Sequence, residues 1–577
     1  MNNEQLEHQR HSLAHLLAAA VIKLYPGTKR TIGPAIDNGF YYDFEFKEPI
    51  TEKDLPKIEK EMKKLQKTWH GMERREVTAD EAKELFKDNP YKLELINEFS
   101  KDGQTLTMYK SSEYFEDLCR GGHSEDVAAI DPDSFKLDKL AGAYWRGDEK
   151  NKMLTRIYGL AFESKEKLEE YLHMREEAEK RDHRVLGPHL GLFTFHEYSP
   201  GIPFYLPKGS IIRNELEKFV RSVSYGKGYS EVRLPQLFDA ELFKISGHWE
   251  HYKEDMFTLE SEGRTFGLKP MNCPGHMLLY KQGLYSYRDL PLRFAEMSTL
   301  YRNELSGTLS GLTRVRAFAQ DDCHIFLTLD QVAEEVADLL KRIQTIYAMF
   351  GMQVEDVALS TKPEKALGTK EEWNEAEAAL AEALKQAGWN YEINEGDGAF
   401  YGPKIDMRIK DALGRKWQLA TIQLDFQQPK RFELEYVTED GTRKTPVVIH
   451  RALIGSFERF FAILIEHYAG NFPLWLSPVQ LAILPISDNQ LEYARSVHDQ
   501  LLAASEDLRI ETDKRAESIG KKIREATLQK IPYQIIVGEK EALSGHIAIR
   551  TRSGEDLGAM SVQKFAEKIL AEIKSKK

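Results

Sequence analysis

In the run TRVRAFAQDDCHIF, a two-residue period puts Arg314, Arg316, Phe318, Gln320, Asp322 and His324 on one face of a strand. Val315, Ala317, Ala319 and Ile325 fall on the other, the face that burial favours. Two cations, an aromatic ring, an amide, a carboxylate and an imidazole make a poor core and a workable ligand site; a solvent-exposed strand is the alternative reading. Upstream, RFAEMSTLYRNELSGTLSGL reads as a strand running into a Ser/Gly-rich turn, so that it pairs with the first strand as a hairpin and sets Arg302 and Glu304 on one face. The same period joins Thr421 to Gln423 and Lys404 to Asp406. In HRALIGSFERFFAILIEHYAG a helical period stacks Gly455, Ser456 and Arg459, where small residues allow close approach and an arginine can reach a phosphate. Near the start, His11 and His15 stand four apart on a predicted helix, and Cys119 and His123 close the motif CRGGH. One cysteine and three histidines suit tetrahedral zinc or a hydrolytic site, with packed or surface histidines as the alternative.

These residues need several domains to position them. A chain of 577 residues is too long for one core and suggests three to four folding units. The clearest break is the charged, helix-favouring SKEKLEEYLHMREEAEKRDHRVLG, read as a linking helix over residues 161–186. Before it, residues 1–160 mix a helical start, β-like GFYYDFEF and the charged helix TEKDLPKIEKEMKKLQK. After it, residues 187–477 hold long β-rich runs and a late apolar helix, and residues 478–577 alternate strand and helix as a small α/β domain.

With 41% hydrophobic and 30% charged residues the chain reads as globular. It lacks a secretory start and any apolar run of membrane-spanning length, so a cytoplasmic protein is expected. Cys119, Cys273 and Cys323 are odd in number and far apart, which favours thiols over disulfides. The net charge of −12 argues against a nucleic-acid partner, but residues 478–577 carry 16 Lys and Arg against 15 Asp and Glu, leaving −13 for the rest. The basic runs KKIREATLQK and AEIKSKK are a weak pointer, since such runs also serve as solvated helix faces. Neither a P-loop lysine motif nor a dinucleotide glycine fingerprint stands in a strand-to-helix setting, so a nucleotide site must be built differently.

Arg302 in YRNE resembles motif 2 of class II aminoacyl-tRNA synthetases, GSFERF with Arg459 resembles motif 3, and Pro235 in EVRLPQ resembles motif 1. MNCPGH, RVRAFAQDDCHIF, AFYGPKID, TIQLDF and VIHRALIGSFERF together are similar to threonyl-tRNA synthetases, and the resemblance runs from about His11 to the C-terminal domain. It implies an α+β multidomain chain with an antiparallel class II sheet flanked by helices, an N-terminal α+β editing domain and a C-terminal α/β anticodon-binding domain. The implied activity is that of an ATP-dependent ligase forming AMP and pyrophosphate, with L-threonine, ATP with Mg²⁺ and tRNA(Thr) as partners, in a homodimer implied by motif 1.

By the same resemblance Arg302 holds the α-phosphate and Arg459 the γ-phosphate, Arg314 assists at phosphate and carboxylate, and Glu304 and Phe318 place adenine. One Zn²⁺ is implied on Cys273, His324 and His450, with His276 a rival ligand and Cys323 turned away into packing. Three ligands leave a position for threonine, whose amino and hydroxyl groups on zinc exclude valine. Asp322 is implied for the ammonium or hydroxyl, with Gln320, Tyr401, Thr421, Gln423 and Ser456 shaping the pocket.

Serine keeps the hydroxyl, so a second sieve is expected. The N-terminal cluster resembles the editing domain shared by threonyl- and alanyl-tRNA synthetases. It implies hydrolysis of Ser-tRNA(Thr) by His11, His15, Cys119 and His123, with Lys92 and Asp117 assisting. This chain has Gly122 where the family often has proline, and the small ubiquitin-like domain that commonly precedes editing is expected to be absent because His11 lies so near the start. KKIRE, VGEKE and IRTRSGEDLG resemble the anticodon-binding domain, implying base contacts from Glu541 and Arg550. Rival readings are a prolyl- or seryl-type synthetase, against which Cys273, His324 and His450 argue, and a non-charging RNA-binding paralogue, against which Arg302 and Arg459 argue.

Overall fold

The computed structural model describes residues 2–112, 115–224 and 228–576. Its contacts divide the chain into two compact units, Met1–Glu176 and Glu177–Lys577. The division falls inside the helix Lys165–Arg181, and Asp182 breaks the expected linking helix by capping the next one, His183–His189. No helix among the described residues is long and apolar enough to cross a membrane.

The first unit is organised on helix Asn3–Leu24, which Asn2 starts through a capping box. From Ser12 to Val21 every residue is buried, the pattern of a helix covered on all sides. It packs with helix Leu55–Gln66, whose Ile58, Met62 and Leu65 form one apolar stripe, and with an antiparallel sheet built on Gly39–Glu45, Met153–Ala161 and Phe135–Tyr144. Glu73–Val77, Leu106–Ser112 and Phe115–Leu118 make a second, three-stranded sheet, and helix Pro90–Lys101 precedes its middle strand.

The second unit holds a nine-stranded sheet in the order Tyr229–Glu231, Leu292–Glu296, Ala317–Leu327, Val447–Ser456, Lys416–Asp425, Lys404–Lys410, Gln353–Ser360 and Glu392–Asn394, with Thr299–Tyr301 also paired to Ala317–Leu327. All pairings are antiparallel except those of the two edge strands. The expected hairpin is present, since Leu292–Glu296 and Thr299–Tyr301 both pair with Ala317–Leu327. That central strand begins at Ala317, so Arg314 and Arg316 precede it on a loop instead of continuing its alternation. One sheet face carries Cys323, Ile325, Ile422, Leu424 and Ile449 into a core closed by helices Pro207–Ser224, Val332–Met349, Lys370–Gln386 and Phe457–His467.

The other face carries the polar residues in cross-strand rows. His324, His450, Gln423 and Lys404 are successive partners across four strands, and Asp322, Ala452, Thr421 and Asp406 form the next row. One end of this face is covered by helix Cys273–Lys281, whose Met277 and Tyr280 pack with Phe294, Phe326 and Val448.

Between the central strand and its neighbour the register slips. Gln320 faces Ser456 while Asp322 faces Ala452, so residues 453–455 stand opposite Asp321 alone. The N–H groups of Leu453 and Ile454 donate to the Asp321 carboxylate at 2.8 and 3.0 Å, and Arg451 braces it at 3.1 Å. Gly455 at φ +75° supplies the left-handed residue that lets the strand turn into helix Phe457–His467. The helical stacking expected for Gly455, Ser456 and Arg459 is thereby corrected. Only Arg459 is helical; Gly455 and Ser456 end a strand, and Ser456 is the helix N-cap, its Oγ accepting from the Arg459 N–H at 3.2 Å.

The C-terminal sheet runs Ile510–Thr512, Leu481–Pro485, Tyr533–Val537, His546–Thr551 and Asp556–Ser561, parallel over the first three strands and antiparallel beyond. Helices Leu491–Ala504 and Val562–Ser575 bury Val497, Leu501, Phe565 and Ile569 against it.

Candidate functional site

Three arginines converge on a pocket of about 230 Å³ in the second unit, lined by Arg302, Glu304, Arg314, Phe318, Gln320, Thr421, Gln423, Ser456 and Arg459 among others. The Arg302 guanidinium lies over the Phe318 ring at 5.1 Å from its centroid, and its Nε is buried with no hydrogen-bond partner among the described residues. Arg314 pairs with Glu304 at 2.8 Å. Arg459 donates its Nε to the Thr313 carbonyl at 3.2 Å. Burial, followed by the like charges of Arg314 and Arg302, lowers the pKa of Arg459. A half-compensated cationic pocket of this kind favours an anion with several charges. Arg316, expected on the same face, is absent from the pocket lining; its guanidinium is tied to the Glu304 carbonyl at 2.9 Å.

Farther along the same face, the ligand atoms of Cys273, His324 and His450 all lie within 4.8 Å of one another, and the three residues are buried. Cys273 opens a helix, His324 and His450 are directly paired across two strands, and the outward nitrogen of each imidazole is already engaged. Nδ1 of His324 meets Nδ1 of His276 at 2.7 Å, which leaves Nε2 free; Nε2 of His450 meets Asp425 Oδ2 at 2.9 Å, which leaves Nδ1 free. His276 is thus not a rival member of the cluster but sits behind it. Its Nε2 is 3.4 Å from Glu296, a carboxylate that Lys269 contacts at 3.0 Å and that is drawn down to about 2 even though burial opposes it. Burial pushes the Cys273 thiol well up, so a thiolate there needs a cation beside it. The donor set of one sulfur and two oriented imidazole nitrogens fits Zn²⁺ with a position left open.

Between pocket and cluster the amino-acid candidates form one network. Asn272 donates to Asp322 at 3.0 Å, Tyr401 donates to Gln423 and stacks on His450 at 4.7 Å, and Gln423 donates to Thr421 at 3.3 Å. Thr421 donates to Asp406 at 2.9 Å, which Lys404 contacts at 2.8 Å. Burial raises the pKa of Asp322, so a cation beside it would favour its ionised form. Cys323 faces the opposite side, beside Arg451 and Arg293, as expected. Sequence reasoning missed Asn272, Asp425 and the fully buried His248, whose Nε2 is 3.6 Å from Cys273 Sγ. Asp425 could have been found, since it continues the alternation of Thr421 and Gln423; no periodic signal marks His248.

In the first unit, His11, His15, Cys119 and His123 also gather within 4.8 Å. Cys119 Sγ is 3.2 Å from His123 Nε2 and 3.5 Å from His11 Nε2, and His11 Nδ1 meets the Gly122 carbonyl at 3.1 Å. Gly122 holds φ +81°, which proline cannot adopt, so the loop geometry here depends on glycine. Burial lowers His11 and His15 below the usual histidine range, takes His123 down to about 3 and pushes the Cys119 thiol up to about 11, so the cluster is neutral near pH 7. It opens on a pocket of about 360 Å³ lined by His11, His15, Lys92, Asp117 and Cys119, with His123 stacked behind His11 at 4.3 Å. Lys92 and Arg30 contact Asp117 at 2.8 and 3.1 Å, and Tyr42 donates to it. Arg30 and Tyr42 are further members that no sequence pattern singled out.

Glu541 lies on helix Glu539–Ser544, where its Oε2 accepts from the Gly538 N–H at 3.0 Å. Arg550 stands on strand His546–Thr551 between Gln534 and Asp556.

Three stretches match family models: residues 257–468 the tRNA synthetase class II core domain (G, H, P, S and T), residues 480–572 the anticodon binding domain, and residues 106–158 the threonyl and alanyl tRNA synthetase second additional domain. The threonine–tRNA ligase of Caldanaerobacter subterraneus is 52% identical over 568 residues, 98% of this chain and 87% of that one. That of Thermotoga maritima is 50% identical over 578 residues, 100% and 89% of the two chains. The crystal structure of the RNA binding domain of threonyl-tRNA synthetase from Cryptosporidium parvum is similar with a TM-score of 0.66 and 44% identity, covering 68% of this chain and 98% of that one. The largely antiparallel sheet is that of a class II aminoacyl-tRNA synthetase, an ATP-dependent ligase, and the arginine-lined pocket lies within the matched core. Within that class, the chain belongs to the threonine–tRNA ligase family.

Proposed function

We propose that this chain activates L-threonine with ATP, transfers it to the 3′ end of tRNA(Thr), and hydrolyses Ser-tRNA(Thr) at a separate site. The observation that carries the reading is one sheet face, against which a three-arginine pocket and a cluster of one thiol and two imidazoles, Cys273, His324 and His450, adjoin through Gln320, Asp322 and Gln423. In activation the threonine carboxylate oxygen forms a bond to the α-phosphorus as the bond to the β-phosphate oxygen breaks, and pyrophosphate leaves with Mg²⁺, which enters as part of the nucleotide substrate. Arg302 holds the α-phosphate, Arg459 the γ-phosphate, and Arg314 the phosphate and carboxylate. Glu304 and Phe318 place adenine, for which Arg302 must leave the Phe318 ring that it now covers. Fixed positive charge, rather than a protein nucleophile, stabilises the charge that migrates to the leaving group.

Cys273, His324 and His450 are the residues to hold Zn²⁺. When bound, the ion supplies a Lewis-acidic position for the amino and hydroxyl groups of threonine, which valine cannot fill. Asp322 takes the ammonium or hydroxyl, and Gln320, Tyr401, Thr421, Gln423 and Ser456 wall the side chain. His324 must present Nε2 to the metal, so its Nδ1 carries the proton and donates to His276. His276→Leu removes that acceptor and weakens zinc binding about 10–100-fold, measured by competition with a chromophoric chelator. Retention of native affinity would remove His276 from this role.

Losing one methyl separates serine from threonine by only about 1–3 kcal/mol, so the first-unit cluster is assigned to deacylation. The neutral set of His11, His15, Cys119 and His123 orients the terminal adenosine and water, and the Lys92–Asp117 pair anchors the ester. Glu541 and Arg550 are assigned to anticodon bases, and family membership and motif 1 support reading the enzyme as a cytoplasmic homodimer.

Pyrophosphate exchange run with threonine, serine and valine tests the whole reading. Threonine supports exchange, serine supports it weakly, valine does not, and a zinc chelator abolishes the threonine signal. Exchange driven equally by valine, or unaffected after the metal is stripped, overturns the zinc assignment.

A further inference from the structure

His183 lies two residues beyond the helix Lys165–Arg181 and is buried, yet it belongs to neither pocket. Its Nδ1 is 2.6 Å from Glu466 Oε1, and its backbone N–H donates to the same oxygen at 3.1 Å. Its Nε2 is 3.0 Å from the backbone nitrogen of Leu312. An N–H can only donate, so Nε2 is the acceptor and the ring proton sits on Nδ1, facing Glu466. Both nitrogens are therefore committed. Asp182, His183 and Glu466 cluster closely enough to suggest a metal, but the imidazole has no lone pair left for one.

Leu312 belongs to the loop between Arg302 and Arg314. That loop closes on itself through Ser310 N–H to the Arg314 carbonyl at 3.1 Å and Thr313 N–H to the Ser310 carbonyl at 2.9 Å. Leu312 is fully buried, and Arg459 holds the Thr313 carbonyl at 3.2 Å. Gly311, at φ +48°, has no side chain where a Cβ would stand 2.2 Å from His183 Nε2, so glycine is what lets the ring reach the loop. Glu466 is itself fixed, by Arg415 at 2.5 Å, on the same helix that carries Arg459. Arg314 is half exposed and has Glu304 as its ion-pair partner.

We propose that His183 is a positioning residue for ATP activation. By bridging Glu466 to the Leu312 N–H it fixes the loop that presents Arg314 relative to the helix that presents Arg459, and so sets the spacing of the two cations without touching substrate. The proposal rests on the reading of this pocket as the ATP site.

The test is threonine-dependent pyrophosphate exchange by the full chain carrying His183→Leu, His183→Gln or Arg314→Ala, with thermal midpoints and amide hydrogen exchange over residues 309–316. His183→Leu raises the KM for ATP about 3–10-fold, the effect of one lost hydrogen bond, and leaves the KM for threonine within about twofold. Amides of residues 310–314 exchange faster. His183→Gln, whose amide offers both an acceptor and donors, recovers most of the ATP affinity. A KM for ATP unchanged in His183→Leu, or a uniform loss of active protein that follows the thermal midpoint, overturns the proposal. If Arg314→Ala also leaves the KM for ATP unchanged, the ATP-site reading itself has failed.

Discussion

Threonine-dependent pyrophosphate exchange falls about 10²–10³-fold in the Arg302→Ala protein, the magnitude expected when one fixed donor to a developing charge is lost. The guanidinium lies against Phe318 and its Nε has no partner among the described residues, so once it yields the ring to adenine it brings an unpaired donor to the α-phosphate. The fall appears in kcat rather than in the KM for threonine, because the contact strengthens as charge moves off the α-phosphate. Arg302→Lys restores only part of the rate, since an ammonium lacks the planar fork that reaches two oxygens at once. Exchange within about threefold of native for Arg302→Ala would remove this residue from the chemistry.

The second large effect belongs to the first unit. Deacylation of Ser-tRNA(Thr) by His11→Ala, His15→Ala drops to the uncatalysed rate, while threonine charging stays within about twofold of native. Undiminished deacylation defeats the assignment. The same variant carries a pH signature. His11, His15 and His123 are each held below the usual histidine range by burial, so near pH 6 they bind protons in the unfolded chain but not in the folded one. Stability associated with them is therefore present above about pH 6.5 and is lost as pH falls toward the folded values, near 3 for His123. The thermal midpoint of the native protein declines between pH 7 and 5, and that of the double variant declines less because two of the three groups are gone.

Much of the proposed synthetic site could be read from alternation, because a strand has only two faces and a polar one is conspicuous. Phe318, Gln320, Asp322 and His324 do share a face, as do Thr421 and Gln423. The same rule failed at Arg316, where the strand had not yet begun and backbone carbonyls captured the guanidinium. A helical period, not alternation, misplaced Gly455 and Ser456, because a two-residue slip in register and a left-handed glycine end a strand where the apolar spacing also fits a helix. The Cys273, His324 and His450 set lay beyond any local pattern. Its members come from a helix start and two paired strands, and their proximity is a product of topology; only family resemblance pointed to it. His248 and His183 were invisible for the same reason, since each acts through partners distant in sequence.

The slip opposite Asp321 also imposes a length standard on the molecule. His450 and Arg459 are nine positions apart, fixed at one end by pairing with His324 and at the other by the Ser456 cap. Pairing resists adjustment on one side, since a one-residue shift would turn His450 to the opposite face. The two amides held by Asp321 leave no slack between them. The interval along the backbone between His450 of the thiol–imidazole cluster and Arg459 is thereby set by a count of residues. An insertion or deletion here would shift Arg459 relative to the thiol–imidazole cluster, and a substrate bound at both in the proposed site would no longer match the distance between them.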